Sequence, residues 1–301
     1  MKIFAIVVTY NGMRWYGRCF GSLRNSDTPV ETIVIDNAST DETVSYIKEH
    51  FSEVCLIESK ENLGFAKANN IGIKQAIDSG ADYVFLLNQD AWVEKDTLSK
   101  LVQTFEENEN VGIVSPIHLN GEYTGLDWGF INNCIPNDFI FDSYVRRLKK
   151  YYFVNYVNAA AWLINVECIN KVGGFDTLLF KHYGEDNNYC QRVLYHGYKI
   201  VINTTTTICH DREKRKGNES KYRKKVFKPD PFLILKCDLG DINVDVDYKR
   251  YKRTQWRSII KSLLRLSIGE VSNSFKRMKL ISAIKESRIC NINGGKVWLD
   301  V

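Results

Sequence analysis

Two polar residues close a short apolar segment, and their spacing suits a cation site. Residues 84–87 are apolar, and Asn88, Gln89 and Asp90 follow directly. An apolar run bounded in this way is typical of a strand that is buried on both faces. Asn88 and Asp90 should point the same way from its end, and their oxygens suit Mg²⁺ or Mn²⁺, which can hold a diphosphate. An ordinary strand-to-turn boundary is the alternative interpretation.

Polar residues also follow the strands that we predict over Ile3–Thr9 and 31–36. The carboxyl ends of parallel strands meet at one edge of a sheet, and ligands bind in the crevice there. Asp36 is expected to accept from a ribose hydroxyl or a base N–H, and Thr9 and Asn11 to bind the same base. The polar residues expected to line this crevice are Thr9, Asn11, Asp36, Asn37, Asn88 and Asp90.

Two common nucleotide-binding motifs are missing from the sequence. Gly-x-Gly-x-x-Gly does not follow the first predicted strand, and Gly-x-x-x-x-Gly-Lys-Ser/Thr does not occur. A dinucleotide-dependent dehydrogenase and a P-loop kinase are therefore disfavoured. Without a glycine-rich phosphate loop, a metal ion is the natural partner of a diphosphate, which favours Asp90 as its ligand.

A second candidate site is the segment 182–188, which contains Gly184, Glu185 and Asp186. Both carboxylates should open a helix over 185–196, where the helix dipole favours negative charge. An ionised carboxylate at that place can act as general base towards a sugar hydroxyl. Capping of the helix is the simpler interpretation. His210 ends a predicted strand, and a neutral imidazole there can complete a metal site or be purely structural.

Strands and helices alternate through the first 115 residues, which predicts an α/β fold with a mostly parallel sheet. Residues 116–150 show poor periodicity and are predicted as loops and short edge strands. The remaining predicted strands are 156–165, 198–202 and 206–209. We expect a nucleotide-binding half over 1–115, a second half with the candidate base over 116–215, and a basic, partly helical extension over 216–301.

Charge is distributed unevenly over the 301 residues. Residues 1–115 carry 10 lysines and arginines against 17 acidic residues, whereas residues 211–301 carry 23 against 11, a net charge of +12. No signal peptide and no membrane-spanning segment are expected, which favours the cytoplasm. Residues 256–266 form a basic amphipathic pattern that suits an anionic membrane at the inner face of the cell, or a helix packed on the protein. No motif supports nucleic-acid binding.

Six segments together resemble the family 2 glycosyltransferases with the GT-A fold, in particular their bacterial rhamnosyltransferase-like branch. They recur in the order of that family over roughly residues 3–210. The resembling segments are residues 7–11 (VVTYN), 34–41 (VIDNASTD), 62–72 (NLGFAKANNIG), 86–90 (LLNQD), 173–176 (GGFD) and 184–186 (GED).

The resemblance implies an inverting, metal-dependent hexosyltransferase that moves a sugar, such as rhamnose, from a nucleotide-diphosphate donor. The acceptor would be a saccharide or a lipid-linked saccharide in cell-surface polysaccharide synthesis. By the family pattern Asp186 is the catalytic base with Glu185 beside it, and Asp90 and His210 bind Mn²⁺ or Mg²⁺. The residues that would bind the donor nucleotide are Thr9, Tyr10, Asn11, Asp36, Asn37, Asn69 and Asn88.

Two departures from the family pattern keep other functions open. Asn88 stands where the metal motif usually has aspartate, which should weaken metal binding. Asn188 replaces a frequent acid two residues after the base, which should lower the proton affinity of Asp186. The alternatives are a catalytically weak or inactive sugar-nucleotide-binding protein, and a nucleotidyltransferase-type enzyme.

Overall fold

One nine-stranded sheet forms the centre of the computed structural model, which describes residues 1–212 and 230–300. Most residues of β1, β4, β5, β6 and β8 are buried, whereas β3 and β7 are more exposed. The strands are β1 (Ile3–Thr9), β2 (Val30–Asp36), β3 (Cys55–Glu58), β4 (Tyr83–Leu87), β5 (Ala91–Val93), β6 (Val111–Asn120), β7 (Tyr151–Val154), β8 (Ala161–Asn165) and β9 (Lys199–His210).

Helices cover both faces of this sheet and form the C-terminal part of the chain. Within the described ranges the helices are α1 (Met13–Arg24), α2 (Thr43–His50), α3 (Gly64–Asp78), α4 (Thr97–Glu107), α5 (Trp128–Asn133), α6 (Asn137–Tyr144), α7 (Val166–Val172), α8 (Glu185–Tyr195), α9 (Pro231–Gly240), α10 (Tyr248–Leu264) and α11 (Ile268–Asn293).

The strand order is β3-β2-β1-β4-β8-β6-β9-β5, and β7 pairs with β9. Strands β1, β2, β3, β4, β6 and β9 all run in one direction, whereas β8, β5 and β7 are antiparallel to their neighbours. The prediction of a mostly parallel α/β sheet is confirmed. Both faces of β1 and β4 are buried under separate hydrophobic clusters, which explains their unbroken apolar sequence.

The prediction for residues 116–150 was wrong. Strand β6 continues to Asn120, although Pro116 lies within it, because the register of β6 against β9 shifts between Pro116 and Ile117. Helices α5 and α6 follow, and the Asp127 carboxylate caps α5 by accepting a hydrogen bond from the Phe130 N–H at 2.9 Å. This shift and this cap are invisible in the hydrophobic periodicity.

Two further predictions about strands need correction. The segments 198–202 and 206–209 belong to one strand, β9, because the same register shift accommodates the residues between them. The strand predicted over 156–165 begins only at Ala161. The charged loop predicted over 212–228, and the boundary expected between 215 and 216, lie almost entirely outside the described residues.

The C-terminal helices pack on the sheet domain through buried polar contacts. Asp176 is fully buried and accepts hydrogen bonds from Ser287 and from the Asn291 amide, both on α11. Asn70 of α3 donates to the carbonyl oxygens of Phe175 and Trp298. The expected helical extension is therefore present and joined to the core. None of the described helices is both long enough and apolar enough to cross a membrane.

Candidate active site

The ends of β1 and β2 bring together the first group of predicted site residues. Thr9 lies directly opposite Asp36 in the parallel register, and its hydroxyl donates to Asp36 Oδ1 at 3.0 Å. The Ser39 backbone N–H and hydroxyl also donate to the Asp36 carboxylate, at 2.9 and 2.6 Å. Asp36 is therefore a buried acceptor whose orientation is fixed by three donors.

The amides near this carboxylate hold the surrounding loops. Asn11 has a φ of 48°, and its Oδ1 accepts from the Thr40 N–H at 2.8 Å. Asn37 accepts from the Leu63 N–H at 2.7 Å and donates to the Gly64 carbonyl at 3.2 Å. Their side chains position the turns at the sheet edge, where Asn can adopt a left-handed backbone at low cost.

Tyr10 and Asn69 have opposite environments. The Tyr10 side chain is largely exposed at the sheet edge and offers a flat ring to a ligand. Asn69 is buried in α3, and its amide donates to the Phe65 carbonyl at 2.9 Å, one turn earlier. Asn69 thus contributes to the packing of α3 under this edge.

Gln89 was not predicted as a site residue, yet it joins the ends of β1 and β4. Its Oε1 accepts from the Tyr10 N–H at 2.8 Å and from the Tyr16 hydroxyl at 3.1 Å, and its Nε2 donates to the Tyr10 carbonyl at 3.2 Å. A Cβ on Gly12 would come within 2.6 Å of Gln89 Oε1, so a side chain there would displace Gln89. The position of Gln89 between Asn88 and Asp90 was the available signal.

The predicted metal-binding residues lie together at the junction of β4, β5 and β9. His210 Nε2 is 3.4 Å from Asp90 Oδ1 and 3.4 Å from Asn88 Nδ2. The pairing of Ala91 with His210 and a backbone hydrogen bond from Asp211 to Asp90 fix this approach. Asp90 and His210 are buried, whereas Asn88 is partly exposed.

The other side of the His210 ring contacts residues that the sequence did not indicate. His210 Nδ1 is 3.8 Å from Asp127 Oδ2, and ligand atoms of His118, Asp127 and His210 lie within 4.8 Å of one another. Arg212 Nε is 3.0 Å from the same Asp127 oxygen, and its Nη2 is 3.3 Å from His210 Nδ1. The guanidinium supplies positive charge on this side, which favours the Asp90 side for a metal ion.

The predicted catalytic pair begins α8, immediately after Gly184, whose φ is +89°. The Tyr156 hydroxyl donates to Asp186 Oδ2 at 2.7 Å, and the Asn187 N–H donates to Asp186 Oδ1 at 2.8 Å. Glu185 is 7% exposed, and its Oε2 has no hydrogen-bond partner among the described residues.

Burial, rather than the helix dipole, controls the protonation of this pair. It raises the pKa of Glu185 to about 8, with a further contribution from the charge of Asp186. Burial also raises the pKa of Asp186, although the hydrogen bond from Tyr156 opposes this effect. Burial thus acts against the ionised carboxylate that the helix start is expected to favour. The positive charge of Arg212 lowers the pKa of Asp186 and so connects this pair with the cluster around His210.

Comparison with known proteins identifies the family. The model of glycosyl transferase family 2 matches residues 4–172, more than half of the chain. The chain belongs to glycosyl transferase family 2. The matched region of this glycosyltransferase carries the ends of β1, β2 and β4, while Asp186 and His210 lie beyond it.

Two curated relatives are similar in sequence to parts of this family 2 glycosyltransferase. The dTDP-rhamnosyl transferase RfbF of Shigella flexneri is 26% identical over 210 residues, which are 69% of each chain. The poly(ribitol-phosphate) β-N-acetylglucosaminyltransferase TarS of Staphylococcus aureus is 28% identical over 116 residues, 36% of this chain and 20% of TarS.

Solved structures show the same GT-A fold at low sequence identity. TarS 1–349 in complex with UDP has a TM-score of 0.57 at 16% identity and covers 97% of this chain and 89% of that chain. The mannosyltransferase PcManGT from Pyrobaculum calidifontis, in complex with GDP-Man and Mn²⁺, has a TM-score of 0.55 at 18% identity, covering 97% and 87%. These similarities support the fold assigned to this glycosyltransferase.

Proposed function

We propose that this glycosyltransferase moves a hexose, such as rhamnose, from a nucleotide-diphosphate donor to a saccharide or lipid-linked saccharide, with inversion at the anomeric carbon. The product would contribute to a cell-surface polysaccharide. The observation that carries the proposal is the grouping of Asp90, His210 and Asn88 at one sheet edge. The similarity to a dTDP-rhamnosyl transferase favours rhamnose among the hexoses.

The donor nucleotide would bind at the ends of β1 and β2. Asp36, held by Thr9 and Ser39, keeps lone pairs for a ribose hydroxyl or a base N–H. The exposed ring of Tyr10 would stack on the base. Asn11 and Asn37 would shape the nucleotide pocket by holding the loops around it. Asn69 would shape it through the packing of α3. Asn88 would face the diphosphate.

A divalent cation, Mn²⁺ or Mg²⁺, fits the donor set of Asp90 and His210. Two ligand atoms on one six-coordinate ion lie about 3 Å apart, and Asp90 Oδ1 and His210 Nε2 are 3.4 Å apart. A carboxylate with an imidazole suits Mn²⁺ well, and the Asn88 side-chain oxygen could add a neutral ligand. When bound, the cation would neutralise charge on the departing diphosphate. For His210 Nε2 to bind the cation, Nδ1 must carry the proton and face Asp127 Oδ2, 3.8 Å away, in place of the Arg212 guanidinium at 3.3 Å.

Asp186 would act as the general base. Its carboxylate takes the proton of the acceptor hydroxyl while that oxygen attacks the anomeric carbon. The bond from this carbon to the diphosphate oxygen breaks from the opposite side, which inverts the configuration. The Tyr156 hydroxyl fixes the direction of the carboxylate through its 2.7 Å hydrogen bond. Glu185 would control the charge beside the base.

Each part of the chain would have its own role in this reaction. Residues 1–115 would bind the nucleotide sugar, and 116–215 would supply the base, His210 and the acceptor site. Residues 216–301 form the basic extension. We propose a cytoplasmic enzyme that attaches peripherally to the inner face of the cell membrane, where a lipid-linked acceptor would lie.

A panel of sugar nucleotides tests the proposed reaction. Release of nucleoside diphosphate is measured for dTDP-rhamnose, UDP-linked hexoses and GDP-mannose, with Mn²⁺, Mg²⁺ or chelator present. We expect turnover with one donor class, dependent on the cation and abolished by Asp90→Ala. If no donor is turned over and no nucleotide binds in calorimetry, the proposal fails.

A sugar-nucleotide-binding protein without strong catalysis is the second candidate, and Asn88 is the observation that favours it. The amide brings no negative charge to the cation beside Asp90. Calorimetric titration with UDP and dTDP, with and without Mn²⁺, separates the two functions. Nucleotide binding that does not depend on the cation, without donor turnover, would favour the second candidate.

A further inference from the structure

Helices α10 and α11 form a hairpin whose connecting end is strongly apolar and exposed. We call residues 263–268 the hairpin tip. Leu264, Leu266 and Ile268 are 82%, 88% and 83% exposed, and Leu263 is more than half exposed. Four aliphatic side chains within six residues make an apolar patch of a kind that monomeric proteins rarely leave in water without a function.

Near the tip, small polar residues lie between the two helices, and several apolar side chains point outward beside the charged ones. Gln255 and Ser262 of α10 and Ser274 of α11 are buried, whereas Ile260 and Leu263 point outward. Gln255 Oε1 is buried without a hydrogen-bond partner among the described residues. Small polar residues between helices and apolar residues outside are typical of helices in an apolar medium.

The charges around the tip have one sign. Residues 248–266 contain seven lysines and arginines and no aspartate or glutamate. Lys261 and Arg265 lie within or beside the tip, and neither forms an ion pair with a described residue. The nearest acid along the chain, Glu270, accepts a hydrogen bond from the Ser262 hydroxyl at 2.9 Å. An apolar patch flanked by basic residues is complementary to an anionic lipid surface.

We propose that the hairpin tip inserts end-on into an anionic phospholipid bilayer. The leucines and Ile268 enter the boundary between headgroups and acyl chains, and Lys261 and Arg265 contact lipid phosphates. The apolar pattern of 256–266 would suit a helix lying flat on the surface. However, Ile259 is 3% exposed on the inner side of the hairpin, so that pattern is divided between two faces.

Vesicle flotation of the full chain tests this proposal. The expected result is flotation with mixed phosphatidylcholine and phosphatidylglycerol vesicles. The double variant Leu264→Glu/Leu266→Glu should lower vesicle affinity by more than about tenfold, because each leucine that loses its apolar site costs at least that factor. The matched control is Phe141→Glu on α6, an exposed apolar residue elsewhere, which should float like the wild type.

A second variant separates the charges from the apolar tip. Lys261→Gln/Arg265→Gln should weaken binding to the anionic vesicles by about fivefold for each charge removed, and added salt should reproduce that loss. Binding to pure phosphatidylcholine should not change. Circular dichroism confirms that each variant is folded. No sugar nucleotide is present, so the result is independent of the proposed glycosyl transfer.

Three outcomes would overturn the proposal. The wild type fails to float with anionic vesicles, or the Leu264→Glu/Leu266→Glu variant floats as well as the wild type. In the third outcome, light scattering shows a dimer that the tip variant dissociates while neither protein floats. The hairpin tip would then be an interface between two copies of this chain.

Discussion

Adjacent carboxyl groups at the start of α8 have different surroundings, which suits the different roles proposed for them. Asp186 is partly exposed and accepts a hydrogen bond from the Tyr156 hydroxyl. Glu185 is buried, and its Oε2 has no hydrogen-bond partner among the described residues. With a pKa of about 8, Glu185 is mostly protonated at neutral pH, which removes a negative charge from beside Asp186. This neutrality of Glu185 makes ionisation of Asp186 easier below pH 8.

The roles of the two carboxyl groups can be distinguished by amide variants of the same shape. Asp186→Asn should lower kcat by about 10²–10⁴-fold with donor affinity unchanged, because the general base is lost. Glu185→Gln should keep most activity at pH 7, since glutamine resembles the protonated acid. In the wild type, kcat/KM should rise with pH through a pKa above the usual aspartate range. Comparable losses for both variants at pH 7 would contradict this assignment.

Asp127 is expected to act as a positioning residue for His210. Asp127→Asn should weaken Mn²⁺ binding by about 10–100-fold, because an amide holds the imidazole less well than a carboxylate does. Electron paramagnetic resonance of free Mn²⁺ gives this affinity without any turnover. The control is Asp96→Asn, a change at a partly exposed carboxylate just before α4 that should leave the affinity unchanged. Unchanged affinity in Asp127→Asn would assign that carboxylate to the capping of α5 alone.

The sequence alone indicated those site residues whose role can be inferred from their neighbours along the chain. Asn88, Asp90 and Asp36 follow apolar strands, and parallel strands end at one edge. Asp127 and His118 could not be found in this way, because they lie beyond a proline in a segment without clear periodicity. Their closeness to His210 depends on the pairing of β6 with β9, which is a tertiary property.

At the scale of elements, α11 is held to the sheet domain by a buried polar cluster. Asn291→Ala should lower the free energy of unfolding by about 1–3 kcal/mol, because it leaves Asp176 with one donor fewer. Urea unfolding followed by circular dichroism measures this change. Lys279→Ala, an exposed change on the same helix, should stay within about 0.5 kcal/mol. Equal effects of the two variants would show that the cluster does not stabilise the docked helix.

Element prediction succeeded where burial was uniform and failed where the register is irregular. The buried runs of β1 and β4 predicted their strands well, and Gly80 ended α3 as a left-handed glycine should. In β9 the sequence around Asn203 was predicted to separate two short strands. Its amide instead donates to Lys100 and Thr104 of α4, which stabilises the bulged strand from outside. Such support from another element leaves no local signal in the sequence.

At the scale of the whole molecule, the protonation of Glu185 should make stability depend on pH. The folded protein binds this proton more tightly than the unfolded chain, whose glutamate has a pKa of about 4.5. This contribution is complete below pH 4.5 and is lost as pH rises through about 8. Urea unfolding at pH 6 and pH 9 should show that Glu185→Gln loses less stability than the wild type. Equal losses would contradict the raised pKa of Glu185.

The fold class and the uneven distribution of charge could be predicted from the sequence as a whole. The contacts of the C-terminal segment with the sheet domain could not. Asn70 reaches Trp298 across most of the sequence, and the Gly174 N–H donates to the Val297 carbonyl at 2.9 Å. Only folding reveals such contacts, because no local pattern marks Asn70 as a partner of the C-terminal segment. A chain shortened after residue 250 would therefore lose structural contacts as well as the hairpin.

The contact between α3 and the segment 295–299 also has a consequence for biosynthesis. A Cβ on Gly173 would collide with Val297, and one on Gly174 would collide with Asn70 and Leu299, so the C-terminal segment packs closely against these two glycines. A ribosome translates residues 173–174 well before residues 295–299 emerge from its exit tunnel. During that interval the surface around residues 173–174 should stay uncovered and open to chaperones.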